Sequence, residues 1–431
     1  MIIDFLLALG MMLSPASQLR PAGSAVGPGE ICIAIWLGLT LLRTIPKFNR
    51  LRVTPAVRSI GVFWLLLTAA LCAGTLMAFA TGMHNDPDKA WHDVQAYILV
   101  AIISLFCVID PMANVRLPRI GWSLASIGTV LLLLQLAHGW GIFSISGIEP
   151  WEYDRLRGWS SNPNQLALTC VVVGFVALHL AETARNRWSR ILALMLAILP
   201  FAVGPMTKSD SFLLVLALAI PGLLVLKIRK SFETNRSQLG IGRATSIMAV
   251  ATFPALLVLA IPIIHVALGM SQDVQRQFAQ SNQAAIERDA PIRFEMWGRA
   301  VDIGLSSGML GLGPGAHLER RRRTKTDGGS EGEIIQHFSV DPKPGFETHN
   351  TMLELFTQGG LLAVVAFAWL SATTVLRTLR WRLDALSVLL CSLLVFSLFH
   401  HVIRHPLLWF VIVWCLATTL YTAGRPAAAH G

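Results

Sequence analysis

One histidine in this sequence stands where it could act as a base. His349 follows a polar stretch over 271–348 that interrupts a series of apolar segments, and Asn350 comes directly after it. An imidazole titrates near neutral pH, so it can accept a proton from a hydroxyl group. At the start of the next apolar segment, the positive end of a helix dipole would keep His349 basic and unprotonated. The alternative is an ordinary polar residue at a membrane interface.

Four basic residues in polar segments could bind an anionic group: Arg155, Arg157, Lys208 and Arg293. An arginine can hold two phosphate oxygens with its planar guanidinium, whereas a lysine supplies a point charge. The first two arginines could instead be loop charges paired with Glu152 or Asp154. These residue types predict a site that combines a base with anion binding.

An amphipathic helix is predicted near 291–307. Phe294, Trp297, Val301 and Leu305 share one helical face, and Asp289 and Pro291 are plausible start signals. Such a helix would lie on the membrane surface, and Arg293 would either bind the substrate or only anchor the helix to lipid headgroups. The polar residues that could shape a site by hydrogen bonding, or line it, are Asn162, Asn164, Asn350 and Trp297.

Composition sets the fold class. Hydrophobic residues make up 54% of the chain and charged residues 14%, whereas soluble domains carry roughly 25% charged residues. Apolar runs of about 17–25 residues, enough to cross a hydrocarbon core, recur along the whole length. The sequence predicts a single all-α polytopic membrane domain over 1–431 with about twelve transmembrane helices, at 2–13, 30–46, 59–82, 93–110, 120–146, 163–182, 190–206, 210–227, 244–269, 349–376, 384–403 and 405–422.

The distribution of Lys and Arg predicts the orientation. Nineteen lie in loops on one side of these spans, and six lie in short segments on the other. Because cytoplasmic loops are enriched in these residues, we expect the short loop 147–162 and the large loop 271–348 to be periplasmic and both termini to be cytoplasmic. The net charge of +10 is then mainly a topology signal. A nucleic-acid partner is not expected, because the basic residues are scattered over separate loops.

The order of several short motifs resembles the O-antigen ligase and Wzy-type polysaccharide polymerase superfamily. The likeness runs from about residue 150 to 370 and rests on Arg157-Gly158, then Asn162-Pro163-Asn164 and Ala167, Arg293 with Trp297, Gly311-Leu312-Gly313, and His349-Asn350 with Leu353 and Gly359-Gly360. The turn 206–211 departs from the pattern: Ser209-Asp210 stands where the family commonly has Ser-Arg. Lys208 is the candidate replacement for that arginine, with Arg157 as a rival.

The resemblance implies a GT-C-like membrane glycosyltransferase of the bacterial inner membrane. Its donor would be a glycan on undecaprenyl diphosphate, bound by Arg293, Arg157, Lys208 and Arg155, and His349 would activate the acceptor hydroxyl at the periplasmic face. Attack opposite the diphosphate would invert the anomeric carbon. The acceptor stays open: another repeat unit for a polymerase, a lipid A core for a ligase, or a protein hydroxyl. Partners in a polysaccharide assembly system and contact with membrane lipids are also expected.

Other classes are less well supported. A transporter or flippase of lipid-linked oligosaccharides would need polar residues buried at mid-membrane, for which His138, His179 and His265 are the main candidates. A glycosidase would need two carboxylates facing one bond, and the acids of the large loop show no such pattern. Asp86-Pro87-Asp88 and the pair His401 and His405, expected on one helix face, are weak metal signals. We therefore expect no metal ion and no cofactor.

Overall fold

The computed structural model describes residues 2–21, 26–46, 53–82, 86–235, 294–327 and 334–423. The helices in these ranges are α1 (Ile2–Leu13), α2 (Pro28–Thr44), α3 (Pro55–Thr81), α4 (Pro87–Ile109), α5 (Ala113–Gly139), α6 (Pro163–Thr183), α7 (Arg187–Val203), α8 (Asp210–Asn235), α9 (294–306), α10 (Thr351–Arg380), α11 (Asp384–Ser397) and α12 (Pro406–Ala423).

Seven of the described helices are long and apolar enough to cross a membrane: α3, α4, α5, α6, α7 with its following turn, α8 and α10. Three further apolar helices, α1, α11 and α12, are shorter. The protein is therefore a predominantly helical membrane protein, as predicted. The count of twelve spans stays a prediction, and the expected span 244–269 lies outside the described residues.

Local signals move several helix boundaries from the predicted ones. The Asp86 side chain accepts a hydrogen bond from the Asp88 backbone amide, and Pro87 takes the first helical position, so the Asp-Pro-Asp sequence begins α4. Helix α5 ends at Gly139, seven residues before the predicted end at 146. Helix α11 ends at Ser397, and the segment 398–405 is not an α-helix. The prediction that His401 and His405 share a helix face is therefore wrong.

The expectation of an all-α chain needs a correction inside the large loop 271–348. Strands β3 (Leu318–Asp327) and β4 (Ile334–Phe346) pair antiparallel, with Leu318 opposite Phe346 and Asp327 opposite Ile334. A second, very short pair joins β1 (Trp151–Glu152) to β2 (Arg155–Leu156). The hairpin β3–β4 begins where the chain leaves the helical core, since Leu318 is buried.

The segment 309–317 of that loop enters the helical core. Helix α10 is interrupted at Gly360, where φ is 64° and ψ is −159°. The backbone groups of α10 near this interruption are hydrogen-bonded to the segment 309–317. Leu312 N donates to Thr357 O (2.8 Å), Gly313 N donates to Gln358 O (2.8 Å) and Leu361 N donates to Met309 O (2.9 Å). Unwound backbone is tolerated at membrane depth only when such partners satisfy it.

A glycine of α3 permits this close approach. A Cβ atom at Gly74 would lie 2.6 Å from Gly313 N and would also meet the Gln358 carbonyl oxygen. Three backbones thus meet at one point without side chains between them. Within this segment, residues 311–317 are mostly buried, with Leu312 at 3% and His317 at 7% exposure, whereas Met309 and Leu310 are about half exposed. It was expected to be a water-facing loop, and it is instead part of the core.

Polar contacts gather at the two ends of the helices. At one end, which we call the site end, Gln18 donates to Ser160 O (2.7 Å) and so ties the α1–α2 connection to the loop 147–162. At the opposite end, Arg116 pairs with Asp4 (2.6 Å), and Lys227 pairs with Asp384 (3.2 Å). Between the ends the core is apolar and centred on α6 and α12, with side chains such as Trp409, Phe175 and Trp414 fully enclosed.

Candidate active site

His349 lies at the site end, directly before the first turn of α10. Its backbone has φ of 52°, a left-handed conformation that is uncommon for a residue other than glycine. Asn350 is the N-cap: its Oδ1 accepts from Met352 N (2.9 Å) and Leu353 N (3.2 Å). The cap fixes where the helix begins, and it turns the preceding histidine out of the helical path. The half-buried imidazole therefore stands at the positive end of the helix dipole.

Thr348 is held from two directions. Its amide donates to Glu354 Oε2 (2.8 Å), which closes the first turn of α10. Its carbonyl oxygen accepts from Trp297 Nε1 (3.2 Å) of α9. Trp297, predicted to line the site, therefore contacts the residue that precedes His349. Arg293 lies outside the described residues, so its place relative to His349 is not part of this geometry.

Helix α9 lies within the range predicted for an amphipathic helix. Phe294 is 68% exposed and Leu305 is 51% exposed, while Ala300 on another side of the helix is fully buried. Phe294 and Trp297 also contact each other edge to face, with ring centroids 5.6 Å apart. An apolar exposed face of this kind suits contact with lipid.

Arg155 and Lys208 meet between the loop 147–162 and the turn 206–211. Arg155 Nε donates to Thr207 O (3.1 Å), and its Nη2 lies 3.4 Å from Asn164 Oδ1. Lys208, with φ of 47°, forms an ion pair with Asp154. The hydrogen bond from Lys208 lowers the pKa of Asp154. Arg155 thus contacts the residue that precedes Lys208, and each of these two predicted cations is oriented by a contact with the other's loop.

Arg157 is directed elsewhere. Its Nε donates to Glu149 O (2.9 Å) and its Nη2 to Glu149 Oε2 (3.2 Å). The sequence offered Glu152 or Asp154 as alternative partners of the loop arginines. In the structure Arg157 pairs with Glu149, and Asp154 pairs with Lys208. Asn162 caps α6 by accepting from Asn164 N (2.9 Å). Its observed contact is therefore with the helix start.

Helix α8 and the segment 398–405 connect the turn 206–211 to the start of α10. Ser211 Oγ lies 3.0 Å from His400 Nε2. Thr351 Oγ1 donates to His400 O (2.7 Å) and accepts from Val402 N (3.0 Å). A set of hydrogen bonds thus links Arg155 to the 206–211 turn, and links that turn to residues beside His349. The three polar segments singled out in the sequence are brought together by it.

A cluster of charged and titratable side chains, which we call the Arg404 cluster, consists of Asp93, Glu347, His401 and Arg404. Arg404 pairs with both Asp93 of α4 and Glu347. His401 Nδ1 lies 3.6 Å from Glu347 Oε2. Burial by itself would raise the pKa of Glu347, but the neighbouring His401 and the charge of Arg404 hold it well below its usual range. Glu347 is therefore a carboxylate near neutral pH.

A buried polar layer lies beneath the Arg404 cluster. Gln358 is completely enclosed, and its Nε2 donates to Asp93 Oδ2 (2.9 Å) while its Oε1 accepts from Tyr97 OH (2.7 Å). The same amide lies 3.1 Å from Glu354 Oε1. His317 Nε2 is 2.8 Å from Gly313 O, and burial lowers the pKa of this imidazole. This layer joins α4 and α10 to the inserted segment.

Sequence reasoning missed the Arg404 cluster and its polar layer. In the sequence, Arg404 stands between two predicted spans and Asp93 is the first residue of the predicted span 93–110, so neither forms part of a recognisable motif. The usable signal was that Asp93, Glu347 and Arg404 all fall next to predicted span ends on one side. Their pairing joins residues that are far apart in the chain, since 311 positions separate Asp93 from Arg404.

Comparison with known families gives a match over part of the chain. Residues 193–368 match the family model described as O-antigen ligase. The matched range runs from α7 into α10 and includes Lys208, Trp297 and His349, but not the loop 147–162. It confirms the resemblance to the O-antigen ligase superfamily, whose members act in membrane glycan ligation or polymerisation. No curated protein matches the chain.

Proposed function

We propose that this protein is an inverting, metal-independent glycosyltransferase that takes an oligosaccharide from undecaprenyl diphosphate at the periplasmic face of the bacterial inner membrane. His349 accepts the proton of the acceptor hydroxyl. Lys208 and Arg155 hold the diphosphate, with Arg293 and Arg157 as further candidates. Asn164, Asn350 and Trp297 shape the site. The acceptor is either a second glycan, which gives a polymer, or a lipid A core.

The reaction follows from these roles. The acceptor oxygen forms a bond to the anomeric carbon as the bond from that carbon to the diphosphate oxygen breaks. The acceptor proton passes to His349, and the electron pair leaves with the diphosphate. The leaving group is stable as an anion, so it needs cations rather than a general acid. Attack from the opposite side inverts the anomeric carbon.

One observation carries the proposal: hydrogen bonds join the turn 206–211 to the start of α10. Arg155 contacts Thr207, Ser211 contacts His400, and the His400 carbonyl binds Thr351. Base and cations therefore occupy one end of the helices. The apolar helices around them suit a donor with a lipid anchor, and the predicted excess of basic residues at the opposite end supports a periplasmic site.

The test uses the purified full-length protein with an undecaprenyl diphosphate oligosaccharide. We expect His349→Ala to abolish covalent product while the protein still inserts and elutes as a folded species. Arg382→Ala is the matched control, because Arg382 also has a left-handed backbone (φ 54°) but lies beyond the far end of α10. His349 and Arg382 flank opposite ends of the 30-residue helix α10, so the control lies away from the proposed base.

The products separate the remaining possibilities. A ladder of glycan lengths supports a polymerase, and a single transfer that requires lipid A core supports a ligase. Product from His349→Ala at the wild-type rate would refute the role of this histidine. Movement of the donor lipid across a vesicle membrane without covalent product would favour transport instead.

A further inference from the structure

We propose that Arg404 is a positioning residue for His349: it fixes residue 347 to α4 and so holds the catalytic imidazole at the mouth of the site. The inference rests on the proposed function, since it concerns the same histidine. It assigns a role to a residue that lies more than fifty positions along the chain from His349 and outside the matched range 193–368.

The geometry makes Arg404 a bridge between two carboxylates. One is Asp93, whose side chain is 5% exposed within α4, and the other is Glu347, which is 36% exposed. Arg404 itself is 16% exposed. The second oxygen of Asp93 accepts from Gln358 Nε2 (2.9 Å), so the anchor is itself fixed against α10. Glu347 is therefore tied, through one guanidinium, to Asp93 and so to the buried polar layer.

His349 needs such an external hold. Its left-handed backbone costs about 1 kcal/mol or more relative to a common conformation, and such strain persists only where the surroundings impose it. Glu354 and Trp297 fix Thr348, and Asn350 is fixed by capping α10. The Arg404 pair fixes the remaining neighbour, Glu347. With all three restrained, the backbone path of residues 347–350, from which His349 projects, is held in place.

The chemistry of the pair also favours a positioning role. Buried ion pairs contribute little stability over apolar replacements, because desolvation cancels much of the attraction. Their benefit is a defined geometry, and a guanidinium can satisfy two carboxylates at once where an ammonium cannot match that fork. The competing role is direct binding of the donor diphosphate by Arg404. Two carboxylates already occupy the guanidinium, which argues against it.

The experiment is a double-mutant cycle in the full-length protein, with donor and acceptor concentrations varied separately. We expect Arg404→Gln and Glu347→Gln each to lower kcat about 100-fold, the loss typical of a misplaced catalytic group. KM for the donor should change less than about threefold, because Lys208 and Arg155 are untouched. If Arg404 acts through Glu347, the double variant loses no more than the worse single variant.

Two further variants, together with the single variant Glu347→Gln, complete the experiment. Arg404→Lys retains the charge but not the fork, so we expect kcat between wild type and Arg404→Gln. Glu347→Gln leaves the buried Arg404–Asp93 pair intact, and it therefore tests the idea even if Arg404→Gln does not fold. Arg187→Gln is the control: this arginine lies over the Trp188 ring (5.3 Å) at the start of α7, at the opposite end, and should keep wild-type kinetics.

The results can overturn the positioning role without overturning the proposed function. Wild-type kcat in Glu347→Gln, a rise confined to donor KM in Arg404→Gln, or multiplying losses in the double variant would each exclude it. If His349→Ala is inactive in the same assays, the transferase mechanism survives these outcomes. If His349→Ala forms product normally, the proposed function itself fails.

Discussion

Replacement of Gly360 by alanine tests the interruption of α10 that lies beneath the site. Gly360 has φ of 64° and ψ of −159°, a region open almost only to glycine. A Cβ atom there would lie 2.6 Å from the Leu310 carbonyl carbon and would also meet the Met309 carbonyl oxygen. Both neighbours are backbone atoms of the inserted segment, so they cannot move aside as a flexible side chain would.

The expected cost can be assembled from the structure. Backbone strain in this region amounts to about 1–3 kcal/mol. The Leu361 N to Met309 O hydrogen bond (2.9 Å) would be lost as the segment shifts, and leaving a buried amide unpaired costs about 1–3 kcal/mol. The substitution Gly360→Ala should therefore destabilise the protein by about 2–6 kcal/mol. Activity should fall by more than the loss of folded protein explains, because a shift at Gly360 also moves the first half of α10, which begins at the N-cap Asn350 beside His349.

The assay is thermal unfolding of the detergent-solubilised protein followed by size-exclusion chromatography, with transferase activity measured below the transition. Gly61→Ala is the matched control: Gly61 lies in α3, and a Cβ atom there would contact nothing within 4 Å. In a helix interior this change should stabilise by roughly 0.5–1 kcal/mol. If Gly360→Ala melts together with Gly61→Ala, the inserted segment does not constrain α10 and the reasoning is wrong.

Two further outcomes are expected from the charged groups. Lys208→Ala should raise KM for the donor about 10-fold or more, as loss of a charge-assisted hydrogen bond implies. Asp154→Asn should lower this KM, because it releases Lys208 from its ion pair. Steady-state kinetics against donor concentration check both variants, and equal KM values in the wild type and the two variants would exclude Lys208 from donor binding. The folded-state pKa of Glu347 lies below its ordinary value of 4.5, so this carboxylate stabilises the protein above about pH 4.5 and loses that contribution as the pH falls towards the lower, folded-state pKa. As the pH is lowered from 6 to 3, the melting temperature should therefore fall more steeply for wild type than for Glu347→Gln. Parallel curves of melting temperature against pH would contradict the lowered pKa of Glu347.

The organisation of the site explains why a polar network persists beside so much apolar helix. Asp93 and Glu354 lie within the first two turns of their helices at the site end, and Gln358 joins them across the helix interface. Polar groups buried in this way are costly unless each has a partner. Here the partners come from α4, α10 and the inserted segment, so the network ties together the elements that surround His349.

Composition and local motifs already specified much of this protein. Long apolar runs predicted a helical membrane protein, and residues such as Pro87 and Asn350 begin helices by local chemistry that needs no tertiary context. The spacing of Phe294, Trp297 and Leu305 indicated the helix now seen over 294–306. The motif around His349 led to a superfamily that the match over 193–368 supports. All of these depend on neighbours within a few residues.

The tertiary structure decided which distant residues meet. Hydropathy treats residues 309–317 as a loop, because glycines and a proline carry no helical pattern, and it does not register that Gly74 leaves room for them. It likewise gave no reason to join Arg404 to Asp93 and Glu347, or to separate Arg157 from Lys208. Ion pairs and backbone approaches of this kind are fixed by packing between helices that are remote in sequence. The sequence alone thus indicated the class of protein and its chemical groups, and only the packed helices determined how those groups are arranged around His349.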